Sequence, residues 1–208
     1  MYTRVYALAH INRLQIYHFF LTYTNNCVIF FYFFCIFEIF FVLLQSFGPS
    51  AYGGTEYMKR ILFLCHGNIC RSPMAEFIFL HLCREAGVAD NFEVASAAIS
   101  TEETGNDIYP PAQRILREHG IPFDHRNARQ VAAADFDYYD HVICADRANI
   151  RLLPHYTGIQ PEMYSNKVSL LMSWAGENRD VSDPWYTRDF ETAYRDIYEG
   201  CKGLLSKL

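Results

Sequence analysis

Two groups of residues in this chain have types and spacing suited to chemistry at phosphorus. The first is Cys65-x5-Arg71, inside Arg60-Ile-Leu-Phe-Leu-Cys-His-Gly-Asn-Ile-Cys-Arg-Ser-Pro73. A loop lying between a strand and a helix aims successive backbone N–H groups at one point, and the helix adds its positive end there. A tetrahedral oxyanion fits that point. His66, Gly67, Asn68, Ile69, Cys70, Arg71 and Ser72 would form the cradle, with Arg71 gripping two oxygens through its planar fork. The same field stabilises a thiolate, which makes Cys65 the candidate nucleophile. The second group is Asp183-Pro184, a carboxyl group in a loop stiffened by proline, with Trp185 and Tyr186 beside it. Displacing an alkoxide or phenoxide needs a proton donor opposite the nucleophile, and Asp183 is the candidate. Either motif alone is ordinary, since Asp-Pro is a common turn dipeptide. Together they are specific.

The positioning elements follow from the flanks. Ile61 to Leu64 is a short apolar run, as expected of a strand buried on both faces of a parallel sheet. Gly67 and Asn68 suit the positive φ angles of a tight loop. Ser72 suits a helix N-cap and Pro73 the first helical position, opening a helix that runs to Ala86. Downstream, strands are expected over 92–99, 141–145 and 167–174. Helices are expected over 110–119, 133–139, 146–153 (stopped by Pro154) and 187–208, with a loop over 175–185. Strands alternating with helices imply a single α/β domain, a doubly wound parallel sheet flanked by helices. Ligands of such sheets bind beyond the carboxyl ends of the strands, where the Cys65 loop falls.

Composition divides the chain in two. Residues 58–208 suffice for one α/β domain. Residues 1–57 form an apolar extension with ten of the seventeen phenylalanines, in which Arg4 and Arg13 balance Glu38 and Glu56. The net charge of −5 therefore belongs to the domain, and an acidic domain without a basic run argues against nucleic acid as a partner. Val28 to Leu44 is long enough to span a bilayer, for which roughly 17–25 residues suffice, but Glu38 falls at its middle and its flanks carry little positive charge. The expectation is that 1–57 are an artefact of a gene start set too far upstream; a membrane anchor through 28–44 is the alternative. Seven cysteines (27, 35, 65, 70, 83, 144 and 201), an odd count without a disulfide framework, suggest a reducing, cytoplasmic compartment. No Cys/His grouping has zinc-ligand spacing.

With both motifs in view, residues 59–208 resemble a low-molecular-weight protein tyrosine phosphatase. Besides Leu-Phe-Leu-Cys-His-Gly-Asn-Ile-Cys-Arg-Ser-Pro and Asp-Pro-Trp-Tyr, the matches are Ser96-Ala-Ala, Ala128-Arg-Gln, Cys144-Ala-Asp146 and Phe190-Glu-Thr-Ala-Tyr194. The resemblance implies hydrolysis of protein phosphotyrosine through a cysteinyl-phosphate on Cys65, with Arg71 holding the equatorial oxygens. Asp183 acts as acid and then as base. It implies that Ser72 donates a hydrogen bond to the thiolate, that Asn68 holds the loop with Ser96 as neighbour, and that Asp146 orients Arg71. No metal or organic cofactor is implied. His125 is left out of the set, because one residue too many separates it from Ala128-Arg-Gln. Cys70 is expected to trap an oxidised Cys65 as a disulfide, sparing it irreversible oxidation; a small buried filler is the alternative.

The chain departs from the family pattern beside the cleft. Thr101-Glu-Glu-Thr104 stands where an aromatic followed by Asn is common, Tyr109-Pro110 where Asp-Pro is usual, and Trp185 where tyrosine is common. Trp185, Tyr186 and Glu102 are the expected cleft residues, although Glu102 and Glu103 equally suit a solvated loop. Arsenate reductases of this fold are a rival reading, but they need two relay cysteines, and Cys83, Cys144 and Cys201 are far apart in sequence. Protein arginine phosphatases tend to carry Thr where this loop has Ile69. A non-catalytic phosphate-binding module would have no need of Cys65, Arg71 and Asp183 together.

Overall fold

The computed structural model describes residues 58–208. The extension 1–57, with its apolar run and Cys27 and Cys35, lies outside the described residues. Strand β1 (Lys59–Cys65) runs parallel to β2 (Phe92–Ala98) on one side and β3 (His141–Cys144) on the other, and β4 (Val168–Leu170) extends the sheet beyond β3. A parallel sheet must be covered on both faces. Alternation along β1 supplies both cores. Ile61 and Phe63 pack under α1 (Arg71–Glu85), α2 (Pro110–Glu118) and α7 (Phe190–Leu205); Leu62 and Leu64 pack against Phe136 of α3 (Ala133–Tyr138) and Leu153 of α4 (Arg147–Thr157). The expected doubly wound parallel sheet is the one that forms. Among the described residues, no helix is long and apolar enough to cross a membrane.

Several boundaries depart from expectation. Helix α1 begins at Arg71, with Cys70 in the N-cap position, so Ser72 is not the cap and Pro73 is not the first helical residue. Helix α4 does not stop at Pro154 but continues to Thr157, where Gly158 in the left-handed region ends it. In the last turn a proline forfeits only one hydrogen bond, which the helix tolerates. The strand expected over 167–174 stops at Leu170, and Leu171–Trp174 turns into the short helix α5. Two glycines of α7 allow this: a Cβ on Gly203 would lie 2.5 Å from the Trp174 carbonyl oxygen, and one on Gly200 equally close to Leu171 Cγ. The last helix begins at Phe190 rather than Thr187. Pro184–Thr187 forms its own turn of helix, α6, capped by Asp183, and Arg188 at φ 60° separates the two.

Candidate active site

Cys65 is the last residue of β1, and the loop behind it is tied down by backbone. Its carbonyl accepts from Ile99 N–H at 3.0 Å, the His66 carbonyl from Ser100 N–H at 3.1 Å, and the Ile69 carbonyl from Tyr109 N–H at 2.8 Å. Asn68 takes a positive φ of 59° and is buried; Gly67 does not take one. Gly67 is needed for a different reason. A Cβ there would stand 2.9 Å from Glu103 Cγ, so glycine lets the 101–104 loop close over the cradle. The Cys65 sulfur lies 3.0 Å from Ser72 Oγ and accepts Asn68 N–H at 3.3 Å. Ser72, free of a capping role, thus faces the nucleophile.

A chain of polar contacts behind the loop has a fixed direction. Asn68 Nδ2 donates to Ser72 Oγ at 2.9 Å and to Ser96 Oγ at 2.8 Å, while Asn68 Oδ1 accepts from Arg126 Nη2 at 3.0 Å. An arginine has no acceptor, so the Asn68 oxygen must face Arg126 and its NH2 must face the serines. The Ser72 proton is then left for Cys65, its other acceptor being the Ala97 carbonyl at 3.4 Å. Arg126 also donates to the Ser96 hydroxyl and carbonyl and ion-pairs with Glu76, which accepts from Ser96 Oγ at 2.7 Å. Burial pushes the Glu76 carboxyl up, against the pull of Arg126. Arg126 was not among the sequence candidates. Its neighbour His125 pairs instead with Asp107 and is exposed. The one signal available was the extra residue before Ala128.

Arg71 is buried at the mouth of the loop between two carboxylates. Nη1 meets Asp146 Oδ2 at 2.5 Å and Nη2 meets Asp183 Oδ2 at 2.6 Å. Burial opposes its charge, but Cys65, Asp146 and Asp183 outweigh it and raise its pKa. Asp146 is itself fixed, capping α4 by accepting Asn149 N–H at 2.6 Å. Asp183 holds its position through Trp185 N–H, donated to Oδ1 at 3.0 Å.

These groups open into one cleft. Its floor is Cys65, His66, Gly67, Ile69, Cys70 and Arg71; its walls are Asp183, Trp185 and Tyr186 on one side and Glu102 and Glu103 on the other. The two glutamates therefore line the cleft rather than a remote loop. Glu102 bonds His66 Nε2 at 3.0 Å, and His66 stands edge-on to Tyr156. Trp185 packs on Tyr109 and leaves Tyr186 largely in solvent. Cys70 is buried, and burial, reinforced by Cys65, pushes its thiol up. Ser96 and Asp146 sit outside the cleft, behind Asn68 and Arg71 respectively. Among the described residues, no group of three or more His, Cys, Asp or Glu side chains could hold a metal ion.

A Cys-x5-Arg loop at the carboxyl edge of a parallel sheet, faced by an aspartate, has the makeup of a cysteine-dependent phosphatase. The chain belongs to the family described as low molecular weight phosphotyrosine protein phosphatase, whose sequence model matches residues 60–208. Among its relatives, the mouse (Mus musculus) low molecular weight phosphotyrosine protein phosphatase is 39% identical over 152 residues, 72% of this chain and 95% of the relative. The Bacillus subtilis low molecular weight protein-tyrosine-phosphatase YfkJ is 38% identical over 153 residues, 73% of this chain and 96% of the relative. The crystal structure of YfkJ aligns with a TM-score of 0.67, covering 72% of this chain and 94% of that one. A Drosophila arginine phosphatase aligns with a TM-score of 0.63 at 30% identity, covering 71% and 96%.

Proposed function

We propose that this protein hydrolyses the phosphotyrosine of proteins through a cysteinyl-phosphate on Cys65. The observation that carries the reading is the convergence of three groups in one cleft. Cys65 has Ser72 Oγ at 3.0 Å, and Arg71 reaches Asp183 at 2.6 Å across the mouth. A phosphoryl group entering this cleft competes with Asp183 for the Arg71 fork, which its oxygens suit better in geometry and charge. Cys65 then attacks phosphorus in line while Arg71 and the loop N–H groups hold the equatorial oxygens. Asp183, released toward the leaving side, protonates the phenolic oxygen. In the second step it takes a proton from the attacking water, and Ser72 stabilises the departing thiolate. Ile69, Trp185 and Tyr186 offer apolar surface to the phenyl ring.

The rivals fare worse on particular residues. A disulfide relay to arsenate needs accessible thiols, yet Cys83, Cys144 and Cys201 are buried, with burial pushing each thiol up, to about 11 for Cys83. The bulky apolar Ile69 in the floor favours an aryl over a guanidino leaving group. Cys70 is buried as well, but unlike Cys83, Cys144 and Cys201 it lines the same cleft as Cys65, and on that placement it is assigned a redox safeguard: peroxide oxidises the Cys65 thiolate to sulfenic acid, and the Cys70 thiol displaces water from that sulfur to leave a disulfide. This reading assigns the domain to the cytoplasm; a membrane-anchored form would depend on residues 28–44. The deciding assay compares phosphotyrosine, phosphoserine and phosphoarginine peptides on the full chain. Phosphotyrosine should be turned over fastest, and preference for phosphoarginine would overturn the substrate assignment.

A further inference from the structure

Asp196 is a buried carboxylate that takes no part in the chemistry above. It lies within α7, where an aspartate is a poor helix former and an apolar residue would pack at lower cost. Its oxygens point to the segment that carries Asp183. Oδ2 accepts Ser182 N–H at 2.9 Å, and Oδ1 accepts Arg179 Nη1 at 2.7 Å. Ser182 is the residue immediately before Asp183. Two further struts hold the same segment from the sheet side: Val181 N–H donates to the Ala145 carbonyl at 3.0 Å, and Arg147 pairs with Asp180 at 2.7 Å. Residues 179–182 are thus clamped between the β3–α4 turn and α7, and among the described residues only Asp196 grips the backbone adjoining Asp183 from the α7 side.

We propose that Asp196 is a positioning residue for Asp183. By fixing the Ser182 amide it sets how far the Asp183 carboxyl reaches toward the leaving oxygen. The proposal rests on the reading of Asp183 as the proton donor. General-acid efficiency is steeply geometric, a misplacement of ~1 Å costing up to about 100-fold. The Ser182–Asp196 bond spans fourteen residues of chain and is not reproduced by any local turn.

The test uses the full chain with D196N, D196A and D183A and the double variant D196A/D183A. Each is assayed on p-nitrophenyl phosphate, a good leaving group, and on phenyl phosphate, a poor one. In D196N the amide can still accept Ser182 N–H, but its NH2 then confronts Arg179, so the clamp is half lost with little change in volume. Expected for D196A, which removes the Ser182 contact, is a fall in kcat/KM of about tenfold on phenyl phosphate with less than twofold on p-nitrophenyl phosphate; kcat/KM is read because the second step, which Asp183 also serves, is common to both substrates. Inhibition by inorganic phosphate should stay unchanged, because the Cys65 loop is untouched. D196N, which keeps that contact, should fall less than D196A and in the same sense, and on phenyl phosphate the double variant should be no slower than D183A alone. Equal losses on both substrates, no loss on either, or additivity in the double variant would overturn the proposal. If D183A itself lacks the leaving-group dependence, the proton-donor assignment falls, and the proposal with it. That outcome is distinct from failure of Asp196 alone.

Discussion

Arg126→Met separates the network behind the loop from the rest of the fold. Methionine keeps much of the apolar stem and removes the guanidinium, so four donated contacts are lost: to Glu76, to the Ser96 hydroxyl and carbonyl, and to Asn68 Oδ1. Breaking one side of a buried ion pair costs about 3–5 kcal/mol. Arg126 and Glu76 each keep 16% of their side-chain surface in solvent, which brings the expected cost to roughly 2–3 kcal/mol at pH 8. The cost should depend on pH. Burial already holds the folded-state Glu76 pKa above its ordinary value, and losing Arg126, which lowers it, raises it further. A group whose folded pKa is raised loses stability as pH climbs from its unfolded pKa through the folded one. The gap between variant and parent should therefore widen from pH 5 to pH 8. Urea unfolding at both pH values measures it. Glu76→Gln in the Arg126→Met background should recover most of the loss, since it removes the unpaired charge. A gap that is flat with pH, or that Gln at 76 fails to narrow, would refute the argument. Activity should fall as well, because among the described residues the Asn68 oxygen then keeps only Arg129 N–H at 3.4 Å.

Cys65→Ser should abolish turnover while leaving vanadate or phosphate binding measurable by calorimetry, since a hydroxyl in the same field is a far weaker nucleophile; residual turnover in a contamination-free preparation would refute the assignment. Asp183→Ala should slow aryl phosphates with poor leaving groups by roughly 10²–10⁴ and those with good ones much less, read from kcat across a leaving-group series. Glu102→Gln with Glu103→Gln should improve kcat/KM severalfold on phosphotyrosine peptides with acidic neighbours, and the gain should shrink with added salt, because the replaced charges wall the cleft. Removing residues 1–57 should leave kcat/KM unchanged, as the family match begins at residue 60; inactivity of the shortened chain would move the domain boundary.

The elements that were legible in the sequence are those whose cause is local. Ile61 to Leu64 announced a doubly buried strand by composition, and the stripe Phe190, Ala193, Tyr194, Ile197, Cys201, Leu204 and Leu205 announced α7; all of these side chains are buried except Leu205, which is partly so. The elements that were misjudged have distant causes. Val168–Leu170 stops short because Gly200 and Gly203, some thirty residues on, admit α5 against α7. Val and Leu before it and Leu and Met after it look alike to a periodicity count. The two proline misreadings have local causes instead: Pro73 and Pro154 suit helix ends by propensity, yet α1 already begins at Arg71, and α4 runs past Pro154 until Gly158, in the left-handed region, ends it.

The site divides along the same line. Cys65, Arg71 and Asp183 carry chemistry that few other side chains can perform, so their types identified them before any contact was known. Arg126 and Asp196 perform no chemistry, and an arginine after a histidine or an aspartate in a helix has many ordinary uses. Their roles exist only through contacts that span 58 and 14 residues of chain, Arg126 to Asn68 and Ser182 to Asp196. Glu76 makes the point sharply. In sequence it is an acid in the first turns of a helix, where the dipole alone would justify it. In the fold it faces Ser96 and Arg126 with 16% of its side chain exposed, and its charge is the counterpart that lets a buried guanidinium orient Asn68. A helix-dipole acid could be replaced by Gln at little cost. Glu76 alone changed to Gln should instead strand Arg126 and weaken the loop, although the same change rescues the chain once Arg126 is gone.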